Sequence, residues 1–185
     1  MRDNFLRFNE DDIRLLANKC EECSQICPEL YTKYDVKRGL RDVSGKGVLA
    51  GLTEIGEVYA YDTVGEEFIP KPGQLFYRGI NVEDLVDGFT KDNRFGFEET
   101  CYLLLFGELP TTIELLQFER LLSSQRSLPE EFIGGVVLKS PSNDMMNALA
   151  RSVLTLYSYD DNADDIGIPN VLKQCLKLIS CTPLL

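Results

Sequence analysis

Three cysteines, Cys20, Cys23 and Cys27, fall at i, i+3 and i+7 near the start of the chain. Three thiolates that close together are the beginnings of an iron–sulfur or zinc site, which needs a fourth ligand. The same spacing is also that of one stripe along a helix. No histidine can complete a ligand set, because the chain contains none. Cys101, Cys175 and Cys181 fall in other predicted helices, and the six-residue interval from Cys175 to Cys181 suits a chelate poorly. The helix face is the preferred reading, and no metal site is expected.

Residues 35–52, DVKRGLRDVSGKGVLAGL, combine Gly39, Gly45, Gly47 and Gly51 with Lys37, Arg38, Arg41 and Lys46. A phosphate loop puts four residues between its first glycine and a Gly-Lys followed by Ser or Thr. Here the interval from Gly39 to Gly45 is one residue too long, and Gly47 follows Lys46. An irregular loop leading into an extended segment fits better. Tyr77-Arg78-Gly79 invites an anion at the guanidinium, since Arg makes bidentate carboxylate contacts. The preferred role for Arg78 is structural, reaching carbonyls or an acidic partner at the end of a β ribbon. Asp42, Glu54 and Glu57 could be paired acids, but thirty acidic residues make a solvated face the better reading. Tyr59, Tyr61, Phe76 and Tyr77 are expected to cover helices rather than stack on a base.

The missing imidazole excludes Ser-His-Asp and Cys-His nucleophiles, His-containing zinc sites and imidazole proton shuttles together. With 30 acidic against 19 basic residues, the net charge is −11. That charge disfavours nucleic acid and anionic lipid as partners. The start, MRDNFLRFNEDD, resembles neither a secretory signal nor an Arg-rich transit peptide. No apolar run approaches the roughly 18 residues of a membrane span. Six cysteines without an export signal suggest reduced thiols and a cytoplasmic protein.

The elements that position these residues follow from periodicity and punctuation. A chain of 185 residues, 44% hydrophobic and 26% charged, makes one globular domain or part of one. Asn9 caps a first helix over about residues 10–26, with Glu10, Asp11 and Asp12 where the helix dipole favours them. Pro28 opens a short helical turn, PELYTKY. The β structure is confined to residues 52–80, as a small hairpin or three-stranded ribbon that must lie on helices, with EEFIPKPGQ as its turn region.

Beyond Asn81 the pattern is helical. Asn81 with Asp84 marks a start and Gly88 a stop. FGFEETCYLLLFGELP gives the next helix, with Gly107 at its end and Pro110 beyond. Thr111 to Glu114 is a capping box opening a helix with Ile113, Leu116, Phe118 and Leu121 as its apolar set. Pro129 takes the first position of PEEFIGGVVL. Ser142 or Asn143 caps MMNALARSVLTLYSY, and after the loop DDNADDIGIP a last helix runs over residues 170–181. That helix and the closing CTPLL are strongly apolar. Either they pack on the domain or another chain, or a C-terminal continuation covers them. Self-association is therefore expected.

Three blocks, in order, carry a resemblance: GVLAGLTEI (47–55), LFYRGINVEDLV (75–86) and FEETCYLLLFGELPT (97–111). With Leu128-Pro129 and MMNALARSVLTLYSYD behind them, they resemble the N-terminal part of citrate synthases, and KYDVKRGLRD resembles the bacterial, clostridial type. The resemblance runs from about residue 35 to the end. It implies a mainly α fold: the helical large-domain portion of a citrate synthase-like fold, with a small β hairpin near residues 52–80. It divides the chain into a helical extension, 1–34, and an incomplete large-domain part, 35–185, without the small domain.

Citrate synthases are homodimers that condense acetyl-CoA with oxaloacetate and hydrolyse the citryl thioester, in the tricarboxylic acid cycle. In them a carboxylate removes the methyl proton, one histidine stabilises the enol and a second protonates the carbonyl, while arginines hold the carboxylates. The resemblance puts those histidines and the aspartate in the second half of a longer chain. No catalytic or cofactor-binding residue is therefore expected among these 185, and no cofactor, acetyl-CoA and oxaloacetate being substrates. Even an incidental His-Pro-Met of the family reads Ser142-Asn143-Asp144-Met145 here. The expected partners are a second copy, joined through helices, and the missing C-terminal half. The alternatives are a non-catalytic dimerisation or binding module, and part of a 2-methylcitrate synthase.

Overall fold

The computed structural model describes residues 8–36, 39, 51–65, 67–139 and 141–185. In chain order come α1 (Glu10–Cys23), α2 (Pro28–Lys33), β1 (Gly56–Val64), β2 (Glu67–Tyr77), β3 (Ile80–Asn81), α3 (Val82–Lys91) and α4 (Phe97–Phe106). There follow α5 (Thr112–Gln125), α6 (Glu130–Phe132), α7 (Met145–Leu156) and α8 (Ile168–Cys181). The fold is mainly helical with one three-stranded sheet, as expected. Two compact units divide the described residues. One holds those up to Lys19 together with Thr111–Leu185, and the other holds those from Cys20 to Pro110. The expected division at residue 34 concerned family relationship, whereas these units are defined by packing.

The first unit is built by helices alone. Ile13 and Ala17 of α1, Phe118 and Leu122 of α5, and Leu172 and Leu176 of α8 are buried one turn apart in each helix. Phe132 is wholly buried and meets Tyr159 edge-on, ring centroids 6.0 Å apart. Polar ties run between the same helices: Lys173 Nζ to both oxygens of Glu10, at 2.7 and 2.9 Å, and Lys19 Nζ to Glu114 Oε1 at 2.9 Å.

Starts match the cap rules closely. Asn9 Oδ1 accepts from Asp11 N at 3.0 Å. Thr111 and Glu114 form the full capping box. Four details differ from expectation. The inward stripe of α5 is Phe118, Leu122 and Gln125, while Ile113 and Leu116 are exposed. A polar residue completing the stripe hid it from an apolar count. Pro129 is the residue before α6, with ψ 138°, and after Phe132 the helix widens into a π turn, Ile133–Val137. Asp144 caps α7 by accepting from Asn147 N at 3.0 Å, and Ser142 instead accepts from Asp144 N. The last helix starts at Ile168, with Pro169 inside its first turn.

The second unit contains the sheet, α2, α3, α4 and the last turn of α1. β1 pairs antiparallel with β2, and β2 with β3. The expected turn at EEFIPKPGQ is instead strand: the chain reverses at Gly65, φ +66°, and Val64 pairs with Glu67. Pro72 survives in β2 because Ala60 alone lies opposite Lys71, Pro72 and Gly73, so the ladder slips there, while Pro70 stays in register opposite Tyr61. β3 pairs only with Phe76 and Tyr77, leaving an edge where the missing proline N–H groups cost nothing. Asn81 caps α3 through Glu83 N at 2.9 Å. Gly88 does not stop that helix. Asn93, φ +53°, takes the left-handed position past its end, with Arg94 N bonded to Phe89 O and Asn93 N to Thr90 O, each 3.0 Å.

Candidate functional site

Arg78 sits where three elements of the second unit end. Arg78 and Gly79, φ +49° and +81°, are the two central residues of the turn between β2 and β3. Both angles are left-handed, as a two-residue hairpin of this type demands. Glycine meets that demand freely, whereas Arg78 is strained and must be held by its side chain. Its Nη1 donates to Cys23 O at 3.2 Å, and its Nη2 to Leu104 O at 3.1 Å. Those carbonyls belong to the last turns of α1 and α4, where helical partners run out and a cation is favoured.

The neighbouring carbonyls are served too. Cys20 Sγ donates to Leu105 O at 3.4 Å, Cys23 Sγ shares its proton between Cys20 O at 3.4 Å and Leu105 O at 3.5 Å, and Gly107 N donates to Leu103 O at 2.9 Å. Gly107 has φ +80°, and a Cβ there would stand 3.0 Å from Cys23 Cβ, so both conformation and space call for glycine. Arg78 Nη2 also lies 3.4 Å from Cys23 Sγ, while its buried Nε has no hydrogen-bond partner among the described residues. The expected structural role of Arg78 is met, with carbonyls rather than an acid as partners.

The other residues singled out in the sequence do not converge. The helical cysteine stripe ends at Cys23: Cys27 is exposed in the break before α2 and contacts Glu29. Among the described residues no three of His, Cys, Asp or Glu are arranged to hold a metal. Of the basic glycine segment only Asp35, Val36, Gly39, Gly51 and Leu52 are described, Gly39 and Gly51 both exposed, and its four basic residues and Asp42 lie outside the described residues. Glu57 hydrogen-bonds the Tyr59 hydroxyl and raises its pKa, so this acid has a phenol for a partner. Tyr59 meets Phe76 edge-on at 5.8 Å and carries Lys71 over its face at 5.4 Å. Tyr59 and Tyr61 remain exposed, so they do not cover helices as expected.

Two buried charges escaped the sequence. Glu99 is gripped by both terminal nitrogens of Arg94. Lys177, only 3% exposed, donates to Gln125 O at 2.9 Å and borders a cavity of about 180 Å³ lined also by Leu156, Tyr157, Asp160 and Gln174. Burial lowers the pKa of the Lys177 amine and raises that of the Cys181 thiol beside it. The lysine lies between Leu176 and Leu178 in an apolar helix, and that placement is the only signal that could have marked it.

Residues 40–185 match a family model described as "Citrate synthase, C-terminal domain". The chain belongs to the citrate synthase family. It is 37% identical over 90 residues to a citrate synthase of Saccharolobus solfataricus, a match covering 49% of this chain and 22% of that protein. It is 34% identical over 125 residues to 2-methylcitrate synthase 1 of Corynebacterium glutamicum, covering 68% of this chain and 27% of that one. Its fold is similar to citrate synthase from Pyrobaculum aerophilum, with TM-score 0.57 and 22% identity over 78% of this chain and 36% of that one. The chain thus spans between a fifth and two-fifths of the length of these relatives. Among the described residues no helix is long and apolar enough to cross a membrane.

Proposed function

We propose that this chain is helical scaffold for an acyl-transferring citrate synthase, corresponding to the N-terminal part of its large domain. The reaction proposed for the longer protein condenses acetyl-CoA with oxaloacetate to give citrate and CoA. The observation that carries this reading is the family match over residues 40–185 in a chain with no histidine. Two cations drawn into the described interior, Arg78 and Lys177, both donate to backbone carbonyls, which suits a scaffold better than a carboxylate-binding site. The chain alone then has neither the imidazole acid nor the imidazole enol stabiliser that the family chemistry requires.

The experiment is a CoA-release assay of the 185-residue chain with acetyl-CoA and oxaloacetate, with and without a polypeptide carrying the remainder of the enzyme. Release is expected only with both. The coding sequence beyond codon 185 gives a second test. A continuation with two widely separated histidines and an aspartate supports the enzyme, and a stop codon supports a non-catalytic dimerisation or binding module. The similarity to 2-methylcitrate synthases favours a second acyl donor. Another acyl-CoA turned over faster than acetyl-CoA by the completed enzyme would select it. Self-association in the cytoplasm is part of the same proposal. The nearly bare Met145, Met146 and Leu154 of α7 support it, and a strictly monomeric elution at high concentration contradicts it.

A further inference from the structure

Cys20 and Cys23 stand three residues apart in the last turn of α1, as Cys-Glu-Glu-Cys. Their sulfurs converge on one oxygen, Leu105 O, and Arg78 Nη2 lies against the Cys23 sulfur. Neither is fully buried, and none of the six cysteines is joined in a disulfide. We propose that Cys20 and Cys23 are a reversible dithiol–disulfide pair, oxidised by hydroperoxides, whose closure uncaps the C-terminal end of α4.

Residues three apart on a helix have Cβ atoms about 5–6 Å apart. A disulfide needs about 3.5–4.5 Å. Closure therefore asks the last turn of α1 to yield by roughly 1–2 Å. Cys23 is the final helical residue, and Ser24 to Cys27 beyond it are not helical, so that turn has somewhere to go. The Cys23 sulfur, as thiolate, attacks the hydroperoxide, forming an S–O bond and breaking the O–O bond, and the alcohol leaves with a proton. Cys20 sulfur then attacks the sulfenic sulfur. The S–S bond forms and water leaves, so two thiols and one hydroperoxide give one disulfide, one alcohol and one water. Arg78 supplies a cationic donor beside the sulfur that carries charge in the first step. Both thiol donors to Leu105 O are lost in the product, and the carbonyl is left without them.

The test treats the full chain with equimolar cumene hydroperoxide, then alkylates and maps its peptides. Two of the six thiols should disappear, and the peptide holding both Cys20 and Cys23 should lose two hydrogens in mass. Dithiothreitol should restore it, and amide exchange near Leu105 should be faster in the oxidised form. Cys27→Ser should behave as the parent. Cys20→Ser, which keeps a hydroxyl donor toward Leu105 O, should accumulate a dimedone-reactive sulfenic acid at Cys23. The proposal is overturned if Cys20 and Cys23 stay reduced while other cysteines react, if Cys27 is the disulfide partner, or if the link joins two chains.

Discussion

The two units hold themselves together by different means. The unit of α5 to α8 has large side chains with almost no exposure, Phe132, Leu122 and Leu176 among them, and among the described residues its helices end without a left-handed one. In the unit of the sheet, α2, α3 and α4 end on Asp35, Asn93 and Gly107, all with positive φ, and Arg78 and Gly79 add two more. Among the described residues its covered apolar side chains are few: Leu85, Tyr102, Leu103 and Phe106. Long helices can bury a stripe each and need no special backbone. A ribbon and short helices bury less, so chain reversals must be fixed locally, by left-handed residues and by donors aimed at the last carbonyls. Apolar volume dominates one unit, and hydrogen bonding of chain ends the other.

The largest effect that could break this contrast is Phe132→Ala, expected to cost about 3–5 kcal/mol in urea denaturation. A loss under about 1 kcal/mol would remove Phe132 from the account of that core. In the other unit, Arg78→Met keeps the bulk and the backbone strain but withdraws the donors from Cys23 O and Leu104 O. It should cost about 1.5–3 kcal/mol, the range for hydrogen bonds from a charged donor. An unchanged denaturation midpoint would mean that chain ends there need no cap. Thr111→Ala removes half of the capping box and should cost about 1 kcal/mol. Larger losses than for Arg78→Met would reverse the contrast.

The smallest effect is a pH dependence. The Thr111 backbone amide, the Lys19 ammonium and the Thr111 hydroxyl lower the Glu114 pKa from 4.5 to about 2. The ionised form is thus favoured by folding. Its stabilisation is complete above pH 4.5 and fades as pH falls toward about 2. Both partners are about one-third exposed, so screening keeps the effect modest. Glu114→Gln should flatten the melting temperature across that interval relative to the parent. Parallel curves would contradict it.

Features governed by a single local rule were legible in the sequence. Asn9, Asn81, the Thr111–Glu114 box and the left-handed Gly107 each answer to one backbone demand. Gly88 misled because Asn93 could do the glycine's work five residues later. Pro70 and Pro72 read as a turn because tolerance of proline depends on which strand edge is free, a property of pairing and not of the segment. Arg78 was legible as structural, but its carbonyl partners belong to helix ends far away in sequence. The buried Lys177 went unread because its partner, Gln125 O, is a backbone carbonyl far away in sequence, which no side-chain pattern marks.

The central claim is that this polypeptide contributes framework to a condensation whose proton transfers are done by groups outside it. CoA release by the purified 185-residue chain, given acetyl-CoA and oxaloacetate, tests that claim most directly. A rate equal to a mock preparation is predicted. Reproducible citrate formation above that background, by this chain alone, would contradict it.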